Sequence, residues 1–233
     1  MKSGLAFLAI ASAALMTGAA EAQDDDAALG SVYVRAGAGY TFVNNWDQDF
    51  TYNPDAVFVM PPPTGQTIEN GDGVIFTGAL GFDYADGIRT ELEYRYAATE
   101  FDSVTLADPM LGPVAAVTAN DDIKGHFLMS NFYFDFNNAS RFTPFIGGGV
   151  GGAFMENENG QRDAALALQA RAGVSYELSS GFLADVEYVY LRTNELSFGP
   201  DIDDFEPSGP VGPNIGDDRY QASSVMMSLR KHF

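Results

Sequence analysis

Residues 88–96 read Ile88-Arg89-Thr90-Glu91-Leu92-Glu93-Tyr94-Arg95-Tyr96. Alternate residues form two sets: Leu92, Tyr94 and Tyr96 on one face, and Arg89, Glu91, Glu93 and Arg95 on the other. A period of two marks a β-strand. Four charges on one strand face cannot enter an ordinary apolar sandwich core unless they are paired. A small barrel that spans a membrane resolves the conflict. Its outer wall is apolar, its interior is polar, and opposite charges can pair inside it.

Seven further segments alternate in the same way. Val32 to Phe42 sets Val32, Val34, Tyr40 and Phe42 against Tyr33, Arg35, Gly37 and Gly39. Val74 to Tyr84 sets Val74, Phe76, Leu80 and Phe82 against Thr77, Gly81 and Asp83. Ile123 to Phe136 sets Leu128, Phe132, Phe134 and Phe136 against Met129, Asn131, Tyr133 and Asp135. Phe142 to Phe154 is glycine-rich, and Ala164 to Leu178 turns Gln169, Arg171, Ser175 and Glu177 inward. Phe182 to Tyr190 turns Asp185 and Glu187 inward, and Tyr220 to Phe233 closes the series with Arg230 inside. The expected fold is all-β: an eight-stranded, antiparallel, up-and-down transmembrane β-barrel.

The connections alternate in length. Short Gly-, Asn-, Asp- and Ser-rich turns at 85–87, 137–141 and 179–181 lie on one side. The other side carries connections at 43–73, 97–122, 155–163 and 193–219, expected as loops. These four hold twenty acids against two bases, Arg162 and Arg219, and so eighteen of the chain's twenty net negative charges. That excess excludes a general nucleic-acid role, which needs a basic surface. The barrel wall is left nearly neutral.

The first residues have the form of a secretory signal peptide: Lys2, an apolar stretch from Leu5 to Met16, then Ala20-Glu21-Ala22. Residues 1–22 are read as that peptide and 23–233 as the barrel. Beyond residue 22 no apolar run is long enough for a spanning helix. Cysteine is absent, which removes thiol catalysis and Cys-based metal sites.

Three stretches carry a family resemblance: residues 89–96; Met129-Ser130-Asn131-Phe132-Tyr133-Phe134-Asp135-Phe136; and Thr143-Pro144-Phe145-Ile146-Gly147-Gly148-Gly149-Val150-Gly151. Their order resembles the eight-stranded outer-membrane β-barrels of Proteobacteria, which include opacity-type surface antigens and the OmpA membrane domain. The resemblance implies location in the cell outer membrane and contact with the lipid bilayer and lipopolysaccharide. It also implies that the closing strand, with its terminal Phe233, is an assembly signal for the outer-membrane insertion machinery. Lys231 departs from the apolar residue the family prefers there, and a long basic side chain at the rim can snorkel to the interface. No cell-wall-binding domain is expected to follow the barrel.

Eight strands enclose an interior just wide enough for side chains to fill. Arg35, Arg89, Arg95, Arg171 and Arg230, with Asp83, Glu91, Glu93, Asp135, Glu177, Asp185 and Glu187, are expected to form a salt-bridged plug. Mixed signs argue against an ion-selective ring. His126 and His232 are the only histidines and supply no convincing catalytic set. No catalysis, cofactor or metal is expected. Asp201-Ile202-Asp203-Asp204 and Asp121-Asp122 offer oxygen ligands but lack a calcium-loop spacing. Tyr84, Tyr94, Tyr96, Tyr176, Tyr188, Tyr190, Tyr220, Trp46 and Phe233 are expected in interfacial belts. The expected function is structural or adhesive contact with an extracellular partner through the loops. A small non-specific channel is the second reading, and a lipid-A-modifying enzyme the distant third.

Overall fold

In a bilayer each backbone N–H and C=O must find a partner within the protein, so alternating strands have to close into a ring. The computed structural model does this; it describes residues 30–52, 60–84, 86–117, 122–157, 162–179, 181–196, 214–215 and 218–233. The expected signal peptide and Asp201 to Asp204 lie outside the described residues.

The chain runs through β1 (Ser31–Val43), β2 (Trp46–Thr51), β3 (Gly65–Tyr84), β4 (Ile88–Asp108), β5 (Gly112–Val117), β6 (Asp122–Asp135), β7 (Phe142–Asn157), β8 (Arg162–Ser179), β9 (Phe182–Leu196), β10 (Asn214–Ile215) and β11 (Asp218–His232). Eight of these form the wall, in the order β1-β3-β4-β6-β7-β8-β9-β11. The ring closes where β11 pairs antiparallel with β1, from Tyr33 opposite His232 to Val43 opposite Ala222. The Phe233 amide adds one more bond to the Val32 carbonyl at 3.0 Å.

Alternation becomes an inside and an outside. Val32, Val34, Phe76, Leu80, Phe132, Phe134, Val186 and Leu229 are exposed on the outer wall. Arg35, Glu91, Glu93, Arg171 and Glu187 are buried within. Close turns sit at one end: Gly87 and Gly181 take positive φ of 80° and 78°, which favours glycine. Glycine also lets strands and inward side chains approach in the wall. A Cβ on inward-facing Gly151 would run into the Leu128 carbonyl and Met129, whereas one on outward-facing Gly78 would meet nothing within 4 Å.

The far end departs from the expectation of loops. Residues 65–73 belong to β3, 97–108 to β4, and most of 155–163 and part of 193–219 to wall strands. The reason is pairing: β3 and β4 stay in register from Tyr84 opposite Ile88 out to Gly65 opposite Ala107, interrupted only by bulges near Asn70. A tilted membrane strand needs about 9–11 residues, and β3 has 20 and β4 has 21. The excess stands beyond the bilayer as a sheet. There β2 pairs with β3, β5 with β4, and β10 with β2. Trp46 opens β2 in that extension rather than ending a membrane-spanning segment.

Candidate functional site: the lumen and the outer extension

The lumen contains two layers. On the side of the tight turns, the inward rows of β1, β4, β8 and β9 deliver charges to one centre. Arg35 donates to Glu91 at 2.8 Å, to Glu93 at 2.6 Å and to Glu187 at 2.6 Å. Arg171 donates to Glu93 and, at 2.6 Å, to Glu187. Arg95 bonds Glu93 at 3.2 Å and Gln169 at 2.9 Å, and Gln169 donates to Asn131. The hydroxyls of Tyr33 and Tyr133 both donate to Glu91, at 2.9 and 2.8 Å.

Nearer the turns, two more pairs lie below this centre. Arg89 grips Asp135 through two bonds of 2.6 and 2.9 Å, and its guanidinium stacks 4.4 Å from the Tyr133 ring centre. Arg230 reaches Asp185 at 3.3 Å and Ser175 at 2.9 Å. Three arginines therefore face three glutamates in the centre, and two arginines face two aspartates below. A desolvated charge is stable only with such partners.

Two residues expected inside lie elsewhere. Glu177 is exposed near the turn end of β8 and joins none of these pairs. Asp83 sits at the rim, part-exposed, 3.9 Å from His232. His232 accepts or donates a bond with Ser31 at 2.8 Å through Nδ1 and stacks on Tyr33. Phe233 is 75 % exposed on the outer wall, and the Lys231 ammonium lies over the Phe182 ring at 4.3 Å.

The outer half of the lumen is apolar, against the expectation of a polar interior throughout. Val43, Ile75, Ile123, Phe127, Met129, Met155, Val189, Leu191, Tyr220 and Met226 pack there as one buried cluster. In β9 the inward row runs Asp185, Glu187, Val189, Leu191, so the charges give way to hydrocarbon along a single strand. Tyr220, expected in the belt, belongs to this cluster beside Phe127, with ring centres 6.0 Å apart. The period-two reading missed the layer because Tyr188-Val189-Tyr190-Leu191 is apolar on both faces. The available signal was the loss of charge from the inward row.

The extension beyond the membrane has its own chemistry. Met110 and Leu111, at the β4–β5 turn, are 69 % and 79 % exposed, and Met60 is 71 % exposed. Asp108 caps the turn by accepting from the amides of Met110 and Leu111, at 2.7 and 2.9 Å. Met60 precedes Pro61-Pro62-Pro63, while the neighbouring Val57, Phe58 and Val59 lie outside the described residues. No group of three metal-ligating side chains occurs among the described residues.

Comparison with known proteins agrees with this geometry. Residues 9–230 match the family described as outer membrane protein beta-barrel domain. An uncharacterized protein of Brucella suis is 24% identical over 255 residues, covering 88% of this chain and 86% of its own. The outer membrane protein PagN of Salmonella typhimurium is 23% identical over 192 residues, covering 71% and 76%. Among solved structures, OprG of Pseudomonas aeruginosa superposes with a TM-score of 0.52 at 13% identity, covering 88% and 96%. Neisserial surface protein A gives 0.51 at 14%, covering 87% and 97%. At these identities the structures attest the fold alone.

The central charge layer sets a stability test. Replacing Arg171 by Met leaves Glu93 and Glu187 short of a partner in a dry interior. Removing one member of a buried ionic network costs about 3–5 kcal/mol. Urea unfolding of the refolded barrel should show that loss, and Arg162→Gln at the exposed Arg162–Glu156 pair should leave the transition nearly unchanged, since exposed ion pairs contribute little. Equal effects of the two changes would contradict the network's weight.

Proposed function

The chain belongs to the outer membrane protein β-barrel domain family, and from that premise we propose that it is a closed surface barrel working through its outer extension. It is an integral protein of the cell outer membrane. The observation that carries the proposal is the lumen. A charge-balanced layer and an apolar layer are stacked across it, so an ion entering from either end meets paired charges or hydrocarbon. Eight strands leave little room for a path around them.

The extension supports a contact role. It lifts exposed Met110 and Leu111 above an acidic surface, at the turn of β4 and β5, which pair antiparallel. Exposed apolar side chains of this kind mark contact sites more often than solvated charge does. A non-catalytic reading has support at both histidines. Nδ1 of His126 is taken by the Tyr94 hydroxyl on the outer wall at 2.7 Å. Ser31 and Asp83 both approach Nδ1 of His232. A relay needs the nucleophile on one ring nitrogen and the carboxylate on the other.

Planar-bilayer recording tests the closed lumen: purified protein should give no steady open-channel current, and a reproducible unitary conductance would establish the channel reading instead. Replacing Met110 and Leu111 together by Asn tests the contact role. Cells displaying that variant should bind eukaryotic cells or matrix several-fold less than wild type, with equal surface amounts; unchanged binding would sink the role of the tip.

Phe233 is proposed as the assembly signal. It lies on the lipid face of the strand that must meet β1 to remove both edges. Deleting it should lower the folded protein in outer-membrane fractions, read by heat-modifiable gel mobility, while wild-type levels would contradict the assignment.

A further inference from the structure

The contact role proposed above uses Met110 and Leu111, but the same end of the extension carries a second feature, Met60-Pro61-Pro62-Pro63. Thr64, the next residue, is bonded on both sides. Its amide donates to the Ala107 carbonyl and its carbonyl accepts from the Phe50 amide, each at 2.9 Å. The run therefore leaves the sheet between β2 and β4, at the end where β4 turns into β5. Proline has no N–H, so pairing with either neighbour stops there. One proline would suffice to stop it, and the chain places three in succession.

Three in succession fix a shape. Each proline sets its own φ at about −65° and pushes the residue before it out of the helical region. Met60, Pro61 and Pro62 each precede a proline, so the run is held as a polyproline II segment. Its base is braced by the Tyr52 hydroxyl, which donates to the Pro63 carbonyl at 2.6 Å. Met60 and Pro61 are exposed. The segment presents apolar rings and carbonyl acceptors, with no backbone donor at its three prolines.

The neighbouring edge points the same way. β5 is the last strand of the sheet on that side. Ala107 turns its carbonyl toward Thr64, and a residue in an antiparallel ladder points its N–H and C=O to the same side. Pro113, opposite Ala107, therefore faces the free edge and withholds a donor from it. A partner strand added along β5 would meet that gap. Recognition by strand addition is thus disfavoured beside a segment already shaped for another mode. Charge narrows the partner further. Residues 44–73 and 97–122 carry ten acids and no Lys or Arg. Asp47 and Asp49 are exposed on β2, which pairs with the first residues of β3 just after the run.

We infer that Met60-Pro61-Pro62-Pro63 is a docking site for a protein with an aromatic-lined groove and a basic rim. Proline rings pack between aromatic side chains, and Trp N–H or Tyr O–H groups at such a groove supply the donors that the run lacks. The preset shape lowers the ordering cost of binding. Cations at the rim of the groove meet the acids of β2. The inference rests on the contact role proposed for the extension and names the chemistry of its partner.

The folded full-length protein in neutral detergent tests it against two probes: an isolated WW domain with Lys and Arg beside its groove, and the same domain with those cations replaced by Glu. The basic domain should bind, and the acidic form should bind several-fold more weakly. In Pro61→Ala/Pro62→Ala/Pro63→Ala the affinity should fall about tenfold or more, the preset conformation of each proline being worth roughly two- to fivefold. Heat-modifiable gel mobility checks that this variant folds. Pro62→Ala alone, with an expected loss of roughly two- to fivefold, serves if it does not. No binding by the basic domain, equal binding by the two domains, or equal binding by the triple variant would overturn the site. The cell-binding assay separates this site from the contact role. Loss of binding in Met110→Asn/Leu111→Asn beside full binding by the proline variant removes the proline site alone, and full binding by both removes the contact role with it.

Discussion

The structure depends on the pairing of Arg35 and Arg171 with Glu93 and Glu187 at the middle of the barrel. Closure in lipid forces alternate residues inward, and closure with eight strands gives them no water to face. A charged inward row is then stable only if each charge meets its opposite. Five arginines and five carboxylates meet that condition, supplied by β1, β4, β6, β8, β9 and β11. Because most of the pairs join different strands, such as Arg35 with Glu187 and Arg171 with Glu93, the network also penalises register errors. A one-residue slip would turn a strand's charges outward into hydrocarbon, where a basic residue at mid-depth costs about 2–4 kcal/mol.

The apolar outer layer follows a different logic. Phe127, Met129, Met155, Leu191 and Met226 do not specify partners as charges do; they fill volume. The layers meet where the Arg171 guanidinium lies 4.0 Å from the Met226 sulfur. A lumen with a specified half and a filled half combines register control with closure. An all-polar interior would need more pairs, and each unpaired member would be a liability. Nε and Nη1 of Arg230 are buried without a hydrogen-bond partner, which shows how hard full satisfaction is even for the pairs present.

Most of the wall was legible in the sequence because lipid and lumen differ so strongly. Residues 88–96 alone separate the two faces, and the inward placement of Arg35, Arg89, Glu91, Glu93, Arg95, Asp135, Arg171, Asp185, Glu187 and Arg230 can be read by parity. Parity fails where both faces are apolar, as at Tyr188-Val189-Tyr190-Leu191, and it misassigned Tyr220 to the belt. It fails also at Glu177, where the strand runs past the membrane and an inward position no longer means a buried one. The outer ends of β3 and β4 were hidden for a related reason. Asp-, Gly- and Thr-rich strands lying in water need no apolar face, so nothing in Gly65 to Gly73 distinguishes a paired strand from a loop.

That concealed extension changes what a loop-side contact means physically. A flexible loop loses conformational freedom on binding, at roughly 1–2 kcal/mol for each residue fixed. Residues 65–73 and 97–108 are already fixed by the ladder between β3 and β4, and the turn at Met110 and Leu111 is capped by Asp108. Contact through this turn therefore carries little of that cost, and a few apolar side chains suffice for a measurable affinity. The acidic residues around it have a complementary effect. They keep the exposed methionine and leucine in solution and repel surfaces of like charge, so in the contact proposed for the tip electrostatic discrimination would precede burial.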